Sequence, residues 1–132
     1  MSHEIVVEFK GDHVYARHSG ATSREISLDL WRRVMKSCEE HGCYNILGES
    51  DTTNALSTLD AFAHVEIANE VGLTLKHRIA WVSHNVKARA IAEFVEDVLK
   101  NRCLLNGHLF PDVEQARRWL LDRADTPMPR RR

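Results

Sequence analysis

The segment HRIAWVS at 77–83 constrains this chain more than any other. Its centre, Ile79-Ala80-Trp81-Val82, is apolar at consecutive positions, and a strand sends successive side chains to opposite faces. Both faces of such a strand need cover, which is the situation of a parallel strand flanked by helices. Asn85 follows as an N-cap, and VKARAIAEFVEDVLK after it is rich in good helix formers. A buried strand running straight into a helix is half of a βαβ unit.

The rest of the chain repeats that unit. EIVVEF at 4–9 alternates, with Ile5, Val7 and Phe9 on one face, and a Lys10-Gly11-Asp12 turn joins it to HVYARH at 13–18 as an antiparallel hairpin. Thr22 reads as an N-cap with Glu25 as its capping-box partner. The helix it opens carries Leu30, Trp31, Val34 and Cys38 on one stripe and stops at Gly42. YNILG at 44–48 is a strand, 49–54 a polar loop, and one helix over 57–71 starts at Ser57, with Asp60 at the box position, and stops at Gly72. LLNGHLF at 104–110 is the last strand; Asp112 and Gln115 cap the helix after Pro111. The expected fold is α/β in the order ββαβαβαβα, with a mixed, mostly parallel five-stranded sheet, right-handed crossovers and helices on both faces. A length of 132 residues predicts one domain, placed at 1–124, with DTPMPRRR at 125–132 as a disordered basic tail.

Composition removes several function classes. A formal net charge of −1 gives no overall basic footprint for nucleic acid. No apolar stretch approaches the roughly 18 residues of a membrane span, and the acidic start lacks a signal-peptide core, so no membrane insertion and a cytoplasmic location are expected. Cys38, Cys43 and Cys103 contain no CxxC, which predicts neither disulfides nor a zinc knuckle. The eight histidines never recur at spacings of two, three or four residues, so no metal site is expected. GxGxxG, GxxxxGK[ST] and GxSxG motifs are absent, and no cofactor is expected. Ser57 or Cys43 could pair with His64 or His84, but nothing orients such a pair by a third group, and the chain reads as a non-enzyme.

Charge is unevenly placed. From residue 37 to 75 there is no Lys or Arg, while seven acids, including Glu39, Glu49, Asp51 and Glu66, make the middle of the chain −7. Such polarity suits a protein partner, a homodimer included. Lys87 and Arg89 then sit in the first turn of a helix, where acids are preferred. They either pair with Glu49 or Asp51 or, with Ser83, His84 and Asn85, form a rim for an anion or other small ligand, since open α/β sheets bind at the carboxyl ends of their strands. Ser50-Asp51-Thr52-Thr53-Asn54 has the loose shape of a phosphate-cradling loop.

LSTLDAF at 56–62, HRIAWVSHNVKARAIAEFVED at 77–97, Asn101-Arg102 and LFPDVEQARRWL at 109–120 resemble the SpoIIAA-like family, a branch of the STAS fold. The resemblance implies a non-catalytic regulatory domain that binds a protein partner. It also implies control by phosphorylation in a D-S-[ST]-G motif at a helix start. Here Asp51 stands for the acid, Thr52 and Thr53 for the hydroxyl pair and Asn54 for the glycine; Ser57 and Thr58, at the predicted helix start, complete the candidate acceptor or partner surface. The wider fold group resembles SEC14-type domains, which implies the alternative of a carrier or sensor for a small apolar ligand, with Leu59, Phe62, Ala63 and Ile67 lining its cavity.

Overall fold

Strand β1 (His3–Phe9) and strand β2 (Val14–Gly20) form the antiparallel hairpin, closed at Lys10, whose N–H donates to the His13 carbonyl at 2.8 Å. Helix α1 (Arg24–His41), strand β3 (Asn45–Thr52), helices α2 (Thr58–Phe62) and α3 (His64–Val71), strand β4 (Arg78–Ser83), helix α4 (Val86–Asn101), strand β5 (Asn106–Phe110) and helix α5 (Val113–Leu121) follow. The computed structural model describes residues 2–121; the tail expected at 125–132 lies outside them.

The sheet order is β1-β2-β3-β4-β5, parallel from β2 onward. Each crossover steps one strand in the same direction, so a constant right-handed sense puts α1, α3 and α4 on one face. Helix α5 follows the last strand and no crossover binds it, so it folds back over β3 and β4 on the opposite face. The double cover inferred from residues 79–82 results. Val14, Ala16, Ile46 and Ile79 pack with Leu30, Val34 and Ala68 beneath α1 and α3. Leu47, Ala80 and Val82 pack with Ala116 and Leu120 beneath α5.

Local signals hold at most boundaries. Asn85 Oδ1 accepts from the Ala88 N–H at 3.0 Å, Asp112 Oδ1 accepts from Gln115 N–H at 2.8 Å, and Gly42 and Gly72 end their helices at positive φ. Four boundaries differ. Helix α1 is capped by Ser23, whose Oγ accepts from Ile26 N–H at 3.2 Å, while the Thr22 N–H, which the expected capping box would offer to Glu25, is taken by Asn54 Oδ1 at 3.0 Å. The helix expected over 57–71 is two helices that meet at Ala63. The polar stretch expected as a loop from residue 49 continues strand β3 to Thr52, because β2 pairs with it as far as Gly20 opposite Thr52. The last strand begins at Asn106, not at residue 104.

Candidate functional site

A cavity of about 170 Å³ lies between the sheet and helices α1, α3 and α4. A glycine creates its floor. A Cβ on Gly48 would overlap the Trp81 ring carbons, so the bare backbone of β3 lets the indole of β4 lie across it. Trp81 Nε1–H donates to Ser50 Oγ at 3.2 Å, and Trp31 from α1 packs on the same indole with ring centroids 5.4 Å apart. Overhead, Ile67 and Ala68 of α3 and Ala92 and Val95 of α4 form an apolar roof. The strand ends His18, Ser50, Thr52 and Ser83 add polar groups on one side.

Three histidines border this space: His108, beside Lys100, and the two described next. His18 is buried and its Nε2–H donates to the Ala21 carbonyl at 2.9 Å. His64 Nδ1–H donates to the Asp60 carbonyl at 3.0 Å. Burial pushes the pKa of both rings below the ordinary imidazole value, since the charged form loses its hydration.

A second cluster occupies the other face. Glu49 alternates with Gly48 and Ser50, so it points away from the cavity. Its carboxylate accepts from Tyr15 O–H at 2.9 Å, Arg17 Nη1–H at 3.0 Å and His84 Nε2–H at 2.9 Å. Burial raises the Glu49 pKa, but the hydrogen bonds from His84 and Tyr15 and the Arg17 charge outweigh it, and the net direction is down.

No protein-family model matches the chain, and no curated protein matches it. Among solved structures it is similar to an uncharacterized protein from the DUF3478 family, from Shewanella loihica PV-4, whose crystal structure at 2.25 Å resolution has a SpoIIAA-like fold. The two align over 89% of this chain and 93% of that one, with a TM-score of 0.51 and 16% identity. The fold is SpoIIAA-like.

In this SpoIIAA-like fold the residues singled out at 51–58 divide. Asp51 is exposed at the end of β3, and Thr52 is buried against the cavity. Thr53 is exposed, its N–H donating to the Gly20 carbonyl at 2.8 Å, and it precedes the helix by several residues. Asn54 is a clasp: it accepts from Thr22 N–H and donates through Nδ2 to the Thr22 carbonyl at 3.1 Å. Ser57 is exposed and caps α2, accepting from Asp60 N–H at 3.0 Å, and Thr58 is the exposed first residue of that helix.

The rim at 83–89 is also split. Ser83 is buried and borders the cavity; His84 turns to Glu49 on the other face. Asn85 Nδ2 donates to the Thr52 carbonyl at 2.6 Å, tying β3 to the start of α4. Lys87 is exposed, while Arg89 donates to the Ser83 carbonyl at 2.9 Å. Neither pairs with Glu49 or Asp51, one of the two arrangements left open by the sequence; Arg17, reached through the neighbouring strand, takes Glu49.

The candidate nucleophile pairs do not meet by hydrogen bonds: His64 binds the Asp60 carbonyl and His84 binds Glu49. Burial pushes the Cys38 thiol up to about 12, which makes it a poor nucleophile. Among the described residues, no group of three His, Cys, Asp or Glu side chains could hold a metal, and no helix is long and apolar enough to cross a membrane.

Sequence reasoning missed the Trp31–Trp81 pair and the Glu96–Lys100–His108 cluster, where Lys100 Nζ lies 2.7 Å from Glu96 Oε2 and 3.0 Å from His108 Nδ1. The i,i+4 spacing of Glu96 and Lys100 was the available signal for part of that cluster.

Proposed function

We propose that the protein is a non-catalytic regulatory domain that senses a small apolar molecule in the cavity between the sheet and α1, α3 and α4. One observation carries the reading: the space sits beneath α3, where an apolar helix stripe such as Ile67 and its neighbours ordinarily closes a core. An engineered cavity of about 150 Å³ lined by apolar residues binds benzene, so a space of about 170 Å³ suits a molecule of one-ring size.

The partner-binding half of the reading rests on α2. Leu59 is 78% exposed, Phe62 47% and Val86 81%, and Phe62 meets Phe94 of α4 edge-on at 5.1 Å. Asn54 and Leu56, just before α2, border the cavity, so an occupant touches the segment that displays these side chains. Thr53, Ser57 and Thr58 are exposed on the same stretch and offer hydroxyls to a kinase.

Native mass spectrometry of freshly purified protein tests the first half. The wild type is expected to carry, or to take up from a panel of one-ring apolar compounds, a small molecule that the cavity-filling variant Ala92→Leu does not. Failure of the wild type to take up any compound refutes it. For the second half, Leu59→Asp is expected to abolish recovery of the partner that the wild type recovers while leaving the urea midpoint unchanged.

A further inference from the structure

The polar groups facing the cavity are not interchangeable donors and acceptors. A carbonyl oxygen only accepts, so His18 carries its proton on Nε2, against Ala21, and His64 carries its proton on Nδ1, against Asp60. While the rings are neutral, His18 Nδ1 and His64 Nε2 are therefore lone pairs, and neither has a hydrogen-bond partner among the described residues. Both rings border the cavity. The Ser50 and Ser83 hydroxyls beside them adapt to either role, Ser50 already accepting from Trp81. No Lys or Arg lines the space, and Glu96, which does, is paired with Lys100 at 2.7 Å. The cavity thus offers fixed acceptors without a countercharge for an anion.

We propose that the cavity selects an uncharged, one-ring apolar molecule that carries one hydrogen-bond donor, of the phenol class, and rejects carboxylates of the same size. This rests on the ligand-sensing reading above and names the ligand chemistry for the same site. A donor on the ligand satisfies an imidazole lone pair that a purely apolar occupant would strip of water. A carboxylate finds only neutral hydroxyl donors beside the imidazole lone pairs, and it would lie there without a paired cation. A purely apolar ring fills the volume but leaves the acceptors unmatched.

Three probes of one size decide the matter: phenol, toluene and benzoate, titrated calorimetrically into the full-length protein at pH 7.5, with the Trp81 indole N–H followed by NMR. Phenol is expected to bind at least about fivefold more tightly than toluene, from one added buried hydrogen bond, and benzoate not detectably. His18→Phe and His64→Phe keep a ring but remove the lone pair; at least one is expected to erase the preference for phenol while toluene still binds. Imidazole ¹⁵N shifts of the ligand-free wild type, which need no variant to fold, are expected to show His18 protonated at Nε2 and His64 at Nδ1. Equal binding of phenol and toluene, preference for benzoate, persistence of the preference in both variants, or the opposite tautomers overturns the proposal and leaves the cavity reading standing. Binding of none of the three overturns both.

Discussion

Replacing Gly48 with alanine tests how the cavity floor is made. In an unobstructed strand position, Gly→Ala stabilises by about 0.4–1 kcal/mol, because alanine restricts the unfolded chain. At Gly48 the added methyl would occupy the space of the Trp81 ring, so the indole has to shift by roughly an ångström or more to reach van der Waals distance. Overpacking of this kind costs about 1–3 kcal/mol, and the shift also strains the Trp81–Ser50 hydrogen bond, which is worth about 1 kcal/mol. The expected net effect is a loss of about 1–3 kcal/mol, or roughly 4–12 °C in Tm for a domain of this size. Urea unfolding followed by far-UV circular dichroism measures it, with the slope expected to stay constant. The same substitution in a Trp81→Leu background should be neutral or stabilising, because the obstructing ring is gone. A coupling energy of about 2 kcal/mol therefore separates the two backgrounds. Equal effects in both would refute the account of Gly48 as the seat of the indole.

Three further outcomes follow from the same structure. Asn85→Ala removes both the cap on Ala88 N–H and the donor to the Thr52 carbonyl, and is expected to cost about 2–3 kcal/mol in urea unfolding; a cost below about 0.5 kcal/mol would deny that it ties β3 to α4. Acid is expected to lower the urea midpoint steadily from pH 7 to pH 4. His18, His64 and His77 have folded pKa values pushed below 6.5 by burial, so the unfolded chain takes up protons first and stability falls as pH drops through that value; Glu49 and Glu96 lie below 4.5 despite burial, because donors and cations hold their charge, and their contribution is lost as pH falls further. A flat or rising midpoint between pH 7 and 5 contradicts neutral buried imidazoles. In thiol labelling under native conditions, exposed Cys103 should react rapidly and Cys38 only as fast as the protein opens; rapid modification of Cys38 would contradict its burial.

The order of elements was legible because each strand and helix announces itself over several residues. The run at 79–82 demanded cover on both faces, and the caps at Ser57, Asn85 and Asp112 lie where their residue types predict. Choices between equivalent neighbours were not legible. Thr22 and Ser23 are both good caps, and the clasp that ties the Thr22 backbone to Asn54, 32 residues away, is a contact no local pattern shows. The division at Ala63 has no sequence mark, since alanine is the best helix former and the apolar periodicity runs through it. The GESDT end of β3 has the local polarity of a loop, whereas pairing with β2 and side chains that face the Glu49 cluster and the cavity in turn keep it extended. The site residues divided for the same reason: strand alternation sends Ser50 and Thr52 to the cavity and Glu49 to the other face, a parity that needs the strand boundary first.

The cavity itself could not be read from periodicity, because residues that border a space and residues that close one have the same apolar stripe. Its energetic cost says why it matters. The atoms lining the space lack packing partners on one side, contacts that a closed core would add to the roughly 5–15 kcal/mol that holds a typical domain folded. Filling it would be simple: Ala68, Ala88 and Ala92 all border it, and a leucine at any of them supplies the missing atoms. Ala92→Leu is accordingly expected to stabilise the ligand-free protein by about 1–2 kcal/mol, from transfer of its added carbons out of water. If the wild type carries an occupant, that advantage should shrink or reverse when the ligand is present, since the bound molecule contributes to the same folded state by mass action. Stabilisation without ligand and its loss with ligand is the signature of a space kept for binding; destabilisation in both conditions would show that the roof over Trp81 is already as close-packed as a core.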